Sequence, residues 1–179
     1  MVAGRVGSVL VLAAAMLGAS IGTGHSAKDV TTTSGLPIPR YVSLKSDYVN
    51  VRAGPTKDND VAWTYTRSGL PVEITAEYEN WRRVRDSEGA EGWVYHSMLS
   101  GRRTAVVTMK KKDDLAPIYD RADPDSAVAA RLQAGVVAQV KKCSSGWCRV
   151  VGNGFDGWIE QQRLWGVYAD EKVDSRCAR

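Results

Sequence analysis

Histidine is almost missing from this chain: 179 residues contain two, His25 and His96. That scarcity excludes multi-histidine metal centres and leaves little room for histidine-based acid and base catalysis. Cysteine is scarce too, with Cys143, Cys148 and Cys177, and three cysteines with one distant histidine cannot close a four-ligand zinc site. Phenylalanine occurs once, against six tryptophans and seven tyrosines. Aromatic side chains that carry a polar atom suit surfaces and half-buried positions better than a dry core, so the imbalance points to binding. A content of 44% hydrophobic and 25% charged residues excludes both a disordered tail and a multi-span membrane protein. The length accommodates one medium domain or two small ones.

Enzyme chemistry finds little support. His96 has no accompanying Ser or Cys motif of an activated nucleophile. Asp86, Glu88 and Glu91 fall close together and offer a carboxylate pair for glycoside hydrolysis, but loops of this size form no deep cleft, and solvation of a turn accounts for them. The expectation is a protein without catalytic residues, cofactor or metal.

Charge is also missing from the first thirty residues. Arg5 is the only charged side chain before Lys28, and between them runs Val9 to Leu17 followed by a Gly, Ser and Thr stretch. This is the order of a secretory signal peptide, with cleavage expected in the region 24 to 27. An uncleaved membrane anchor is the alternative reading, since the uncharged stretch reaches about 18 to 20 residues. Export places the chain in the periplasm or outside the cell, where cysteines pair. Cys143 and Cys148 flank the turn-like Ser144-Ser145-Gly146-Trp147 between two strand-like runs, and a hairpin disulfide worth about 2 kcal/mol is the simplest pairing. There is a geometric condition. Val140 to Cys143 is an odd step and Cys148 to Val150 an even one, so the sulfurs share a face only if a bulge shifts the register. Cys177 is left free or intermolecular.

Aligning the chain with itself at an offset of about 65 residues reveals two copies of one unit. Gly69 to Ile74 falls on Gly135 to Val140, Trp81-Arg82-Arg83-Val84 on Trp147-Cys148-Arg149-Val150, Gly92-Trp93-Val94 on Gly157-Trp158-Ile159, and Leu99 on Leu164. Each copy is near the lower size at which one core holds without help. Short alternating strands broken by turn residues predict an all-β barrel or sandwich. Leu70, Val72 and Ile74 alternate with polar or turn residues, as do Val136, Ala138 and Val140, so one face is expected to be buried. Tyr78-Glu79-Asn80 and Ser144-Ser145-Gly146 read as hairpin loops, with the left-handed backbone at Asn80 and Gly146. Val84 and Val150 are expected opposite Ile74 and Val140. Residues 127–132 read as helix by propensity, but their counterpart around Val61 to Tyr65 is strand-like, and both are predicted as strands.

The order Val49-Asn50-Val51-Arg52-Ala53-Gly54-Pro55, Gly69-Leu70-Pro71-Val72, Asn80-Trp81-Arg82-Arg83-Val84 and Glu91-Gly92-Trp93-Val94 with Leu99 resembles the bacterial Src homology 3 (SH3) domain family. The second copy resembles it through Leu115 to Tyr119, Gly135, Gly146 to Val150 and Gly157-Trp158-Ile159, without the Asn-Val-Arg-Ala-Gly-Pro turn. The resemblance implies two tandem small SH3-like β-barrels in an all-β protein: signal peptide 1–27, proline-containing linker 28–40, first domain 41–101, second domain 102–167 with a basic N-terminal joint, and C-terminal tail 168–179. It also implies a groove bordered by the aromatic after the first hairpin and by the Gly-Trp strand. Carried over, these are Trp81, Trp93 and Tyr95, then Trp147 and Trp158, with Tyr48 and Tyr119 as the opposite wall. Planar amphipathic rings bind extended peptides or sugar faces at little entropic cost. The alternative for Trp93 and Trp158 is that they fill the barrels, where the preceding glycine lets a strand approach.

Removing residues 1–27 deletes Arg5 alone from the 24 basic residues, leaving 23 against 20 acidic. The mature chain is mildly basic, but Arg102, Arg103, Lys110, Lys111 and Lys112 gather at the joint. That patch reads as a contact for anionic wall polymers or a membrane surface, or as a solvated edge that keeps strands from pairing. Leu36-Pro37-Ile38-Pro39-Arg40 reads as a stiff spacer or as a segment that occupies the chain's own groove. The resulting expectation is a non-catalytic exported module that binds peptidoglycan or another envelope component, the alternative being an adaptor for extended or proline-containing segments of an envelope protein. Export and modest charge argue against nucleic acid, and cleavage against stable membrane insertion.

Overall fold

The computed structural model describes residues 32–109 and 114–174. The signal segment, Lys110, Lys111, Lys112 and Cys177 lie outside the described residues. Among the described residues there is no α-helix, and none long and apolar enough to cross a membrane.

The first unit comprises β1 (Arg40–Leu44), β2 (Val49–Arg52), β3 (Val61–Tyr65), β4 (Pro71–Tyr78), β5 (Trp81–Arg85), β6 (Glu91–Tyr95) and β7 (Leu99–Ser100), with a single 3-10 turn at His96–Met98. The second comprises β8 (Thr104–Val107), β9 (Ala116–Tyr119), β10 (Val128–Leu132), β11 (Val137–Ser144), β12 (Trp147–Gly152), β13 (Phe155–Glu160) and β14 (Leu164–Trp165), with a 3-10 turn at Gln161–Arg163, then β15 (Val173–Asp174). Hydrogen-bonded neighbours run β3-β2-β6-β5-β4-β1-β7 in one sheet and β10-β9-β13-β12-β11-β8-β14 in the other, and β15 pairs with β11. The two orders are the same strand for strand. The duplication read in the sequence is therefore a duplication of topology, and both predicted strands at 61–65 and 128–132 form.

Each sheet curls around its own aliphatic core. Leu44, Val49, Val51, Val72, Ile74, Val84 and Val94 fill the first, and the second is larger, reaching Val167 and Val173 beyond its last barrel strand. Val84 stands opposite Ile74 and Val150 opposite Val140, as expected. Gly92 and Gly157 have a steric task. A Cβ on Gly92 would sit 2.4 Å from Val51 Cγ1, and one on Gly157 2.6 Å from Ile118 Cγ2. Their absent side chains let β2 and β9 cross the Gly-Trp strands closely enough to close each barrel.

The register condition on the disulfide is met. A bulge lies between Val140 and Lys142, Cys143 pairs directly with Cys148, and the bond forms between two buried residues. The first copy carries the equivalent bulge between Ile74 and Ala76, so the irregularity belongs to the unit and not to the disulfide.

Two local expectations are corrected. In the first hairpin the positive φ falls on Glu79 (48°) and not on Asn80, while the second places it on Ser145 and Gly146. The one-face burial of β4 also fails, because Pro71, Val72, Glu73 and Ile74 are all buried. Glu73 faces away from the first core and is covered by the second unit: Tyr168 Oη donates to Glu73 Oε1 at 2.8 Å, and Arg85 pairs with the same carboxylate. Tyr41 on β1, next to Glu73 in register, packs against Trp165 and Tyr168 with ring centroids 5.0 and 4.7 Å away.

Residues following β14, expected as a tail from 168, are integrated into the fold. Gln161 Nε2 donates to the carbonyls of Tyr168 and Glu171, and Arg103 makes a two-pronged contact with Glu171 at 2.6 and 2.9 Å. Gly166, at φ 119°, permits the turn into this segment, since a Cβ there would meet Thr104 O at 2.5 Å and Pro71 Cβ at 3.1 Å. The two units are thereby joined by side-chain contacts as well as by covalent connection.

Candidate binding face

In both barrels the first hairpin is tied to the 3-10 turn by one backbone bond: His96 N–H donates to Asn80 O at 2.9 Å, and Gln161 N–H to Gly146 O at 2.8 Å. This bond sets the aromatic that follows the hairpin against the end of the Gly-Trp strand. Trp81 pairs across strands with Tyr95, and Arg83 with Trp93; Arg149 pairs with Trp158 in the same way. Because strand side chains alternate, Trp81, Arg83, Trp93 and Tyr95 share the outer face of the first barrel, and Trp147, Arg149 and Trp158 that of the second.

The rings meet edge to face. Trp81 and Tyr95 are 5.4 Å apart at 81°, and Trp147 and Tyr119 are 5.6 Å apart at 82°. Such pairs contribute about 0.5–1.5 kcal/mol beyond their burial and hold the rings at a fixed angle. His96 is exposed and lies on Tyr95. Trp93 and Trp158 are half-buried and belong to neither core, so they stand on the outer face while their glycine neighbours do the close packing. Trp81 is the most enclosed of the four, at 8% exposure.

The two proposed side walls differ. Tyr119 is the last residue of β9, opposite Trp158 in register, and joins Trp147. Tyr48 is 76% exposed and has no ring partner among the described residues. Its position corresponds to Leu115, whereas the counterpart of Tyr119 is Arg52, which stands opposite Trp93 and donates to Asn59 O at 2.5 Å. The first-barrel turn folds around that asparagine: a Cβ on Gly54 would collide with its side chain.

The charges beside the aromatics are mostly committed. Arg83 pairs with Glu91 at 2.7 Å, Arg149 grips Asp156 through two bonds of 2.9 and 2.8 Å, and Arg163 holds Glu160 at 2.7 Å. Hydrogen bonds from Arg149 hold Asp156 below the usual carboxylate range, and those from Arg163 do the same for Glu160. Asp86 accepts from Tyr65 Oη and from the N–H groups of Glu88 and Ala90, which fixes the turn. Burial and the Asp86 charge push the Tyr65 phenol above its ordinary value, so it stays a donor.

Of the basic joint, Arg102 is exposed, while Arg103 is half-buried and engaged by Glu171 and the Gly166 carbonyl. The proline segment does not lie on the aromatic face. Ser34 and Arg40 both bind Glu77, whose cross-strand partner Arg82 points opposite to Trp81, and Ile38 packs on the first core. Sequence reasoning passed over Arg83 and Arg149 as members of this face, although their alignment on one another, two residues after a tryptophan in each copy, is the signal that locates them.

The family model described as bacterial SH3 domain matches residues 45–101 and 112–166. No curated protein matches the chain. Among solved structures, NlpC2 from Trichomonas vaginalis is similar at 15% identity and TM-score 0.33, covering 71% of this chain and 48% of its own. NlpC1 from the same organism gives 15%, 0.30, 74% and 48%, so this chain spans about half the length of either. The endolysin LysPBC5 CBD gives 19% identity and TM-score 0.28, covering 69% of this chain and 90% of its own.

Proposed function

Since the chain belongs to the bacterial SH3 domain family, which it carries as a tandem pair, we propose that it is an exported, non-catalytic module that holds peptidoglycan or another envelope component on the outer faces of its two barrels. The observation that carries this reading is the recurrence, at equivalent places, of two tryptophans and an arginine, Trp81, Trp93 and Arg83, then Trp147, Trp158 and Arg149, with the hairpin tryptophan held edge to face by a tyrosine in each barrel, Tyr95 from the Gly-Trp strand in the first and Tyr119 from β9 in the second. Rings with a fixed tilt present flat apolar surface and a polar edge, which suits sugar faces and extended peptides. Neither carboxylates nor histidine are arranged there for proton transfer: Glu91 and Asp156 are held by arginines and His96 lies on a ring.

The test is co-sedimentation with purified, protease-treated peptidoglycan sacculi. The protein is expected in the pellet, with Tyr95→Ala and Trp147→Ala each lowering the bound fraction several-fold. A protein that stays in the supernatant, or pellets equally well as both variants, overturns this reading.

An adaptor role is the second reading, and one observation favours it. Edge strand β3, Val61-Ala62-Trp63-Thr64-Tyr65, has no charged residue and one unpaired side, with Val61 43% exposed. Native edges are normally blunted by charge or proline, and an open one accepts an extended segment by strand addition. Pelleting that disappears when the sacculi are protease-treated would select this reading.

A further inference from the structure

The second barrel carries a groove that the first cannot form. It has a volume of about 530 Å³ and lies on the outer face of β11, β12 and β13, with Trp158 and Val151 as its apolar surface. Lys141 and Lys142 stand along one wall where the first copy has Thr75 and Ala76. Asp174 of β15, in register with Lys142, borders it, and β15 has no counterpart in the first barrel.

The charges in this groove are unequally used. Arg149 and Asp156 satisfy one another through two hydrogen bonds. Neither lysine makes an ion pair with a described residue, and with Arg149 the groove has three cations against two carboxylates. The indole of Trp158 has no aromatic partner among the described residues, unlike Trp81 and Trp147. Backbone recognition is closed here, because β12 is paired on both sides, with β11 and with β13. A peptide cannot add at β12, so a ligand lying across this face is read by side chains. One flat indole on β13, across β12 from two lysines of β11 that form no ion pair with a described residue, matches a sugar ring whose apolar face stacks and whose acid group reaches a lysine.

We propose that this groove binds an acidic glycan, a chain of sugar rings bearing carboxylates, and that the second barrel alone has this site. The inference rests on the outer-face reading above and adds a ligand class to it. Titration of the full chain by tryptophan fluorescence provides the test, using hexagalacturonate as probe, maltohexaose as the neutral chain and a glutamate oligomer as charge without a sugar face. Hexagalacturonate should bind at least about tenfold more tightly than either control, and Lys141→Gln with Lys142→Gln should lose about tenfold, the scale of two exposed ion pairs. Trp158→Ala should weaken binding similarly, whereas Lys45→Gln with Lys57→Gln, two exposed lysines of the first barrel, should leave it within about twofold of the parent. Equal binding of the glutamate oligomer, equal losses from the two lysine pairs, or no binding of hexagalacturonate overturns the proposal. Failure here with sacculus binding intact removes the acidic-glycan site alone. Loss of sacculus binding in the tyrosine and tryptophan variants is read independently of the lysines.

Discussion

Glu73 shows how one side chain comes to carry more than its local pattern implies. By alternation it belongs to the outer face of β4, yet it is 3% exposed because Tyr168 and Arg85 close over it. Burial, reinforced by the Glu73 charge, pushes the Tyr168 phenol above its ordinary value, so the hydroxyl remains a donor throughout the working pH range. Tyr168→Phe removes that donor and leaves a lone pair of a buried carboxylate unsatisfied, a loss of about 1–3 kcal/mol. Urea denaturation should show the midpoint falling with little change in slope, and an unchanged midpoint would mean that water replaces the phenol. Tyr168 was legible in the sequence as a residue and not as a partner, since its contact with Glu73 spans 95 positions.

At the scale of elements, the bulge on the fourth strand of each barrel is the feature that periodicity alone misplaces. A two-residue period carried through Val140 would put Cys143 and Cys148 on opposite faces. The shift between Val140 and Lys142 brings both inward, where Val173 of β15 pairs with Cys143. The disulfide thus lies under the strand that borders the acidic-glycan groove. Replacing Cys143 and Cys148 by serine should cost about 2 kcal/mol for so small a loop, plus the penalty of burying hydroxyls in an apolar core. Differential scanning calorimetry should show the transition lowered, and hydrogen exchange should rise first in β15 and β11; equal protection with and without the bond would contradict this account. Most of the remaining strands were legible, because Val, Ile and aromatic runs between Gly-containing turns specify short strands whichever neighbour they acquire. The helical propensity of Ala127 to Leu132 is overridden because β10 gains a ladder with β9.

For the whole molecule, the decisive contact is the one between barrels. Tyr41, Trp165 and Tyr168 form a ring cluster, and Arg103 with Glu171 clamps the segment that carries Tyr168. Burial would raise the Glu171 carboxyl, but hydrogen bonds from Arg103 and the Tyr168 N–H outweigh it and hold the folded-state value below the usual range. The sign follows directly. A depressed folded value stabilises the folded state above the unfolded carboxylate pKa, about 4.3, and that contribution is lost as pH falls through the folded value. Melting temperature should therefore drop between about pH 5 and pH 3, and Glu171→Gln should melt lower at neutral pH with a shallower acid decline. An unaltered acid limb in that variant would place the titration elsewhere. With the barrels so joined, both outer faces keep a set relation to one another, and a polymer long enough to touch both gains from effective concentration.

The sequence by itself determined the class and the plan: two copies, short strands, aromatic residues at matching places, and cysteines spaced for a hairpin. These are local properties of composition, period and turn chemistry, and they survive without knowledge of what packs on what. Tertiary structure decided which residues form a surface. It set Trp93 and Trp158 outside the cores, moved Glu73 and Arg103 into the joint, and drew residues 165–174 into the fold. Each of those outcomes depends on long-range contact, where a charge or ring finds a partner across tens of residues, and no period within a strand encodes the identity of that partner.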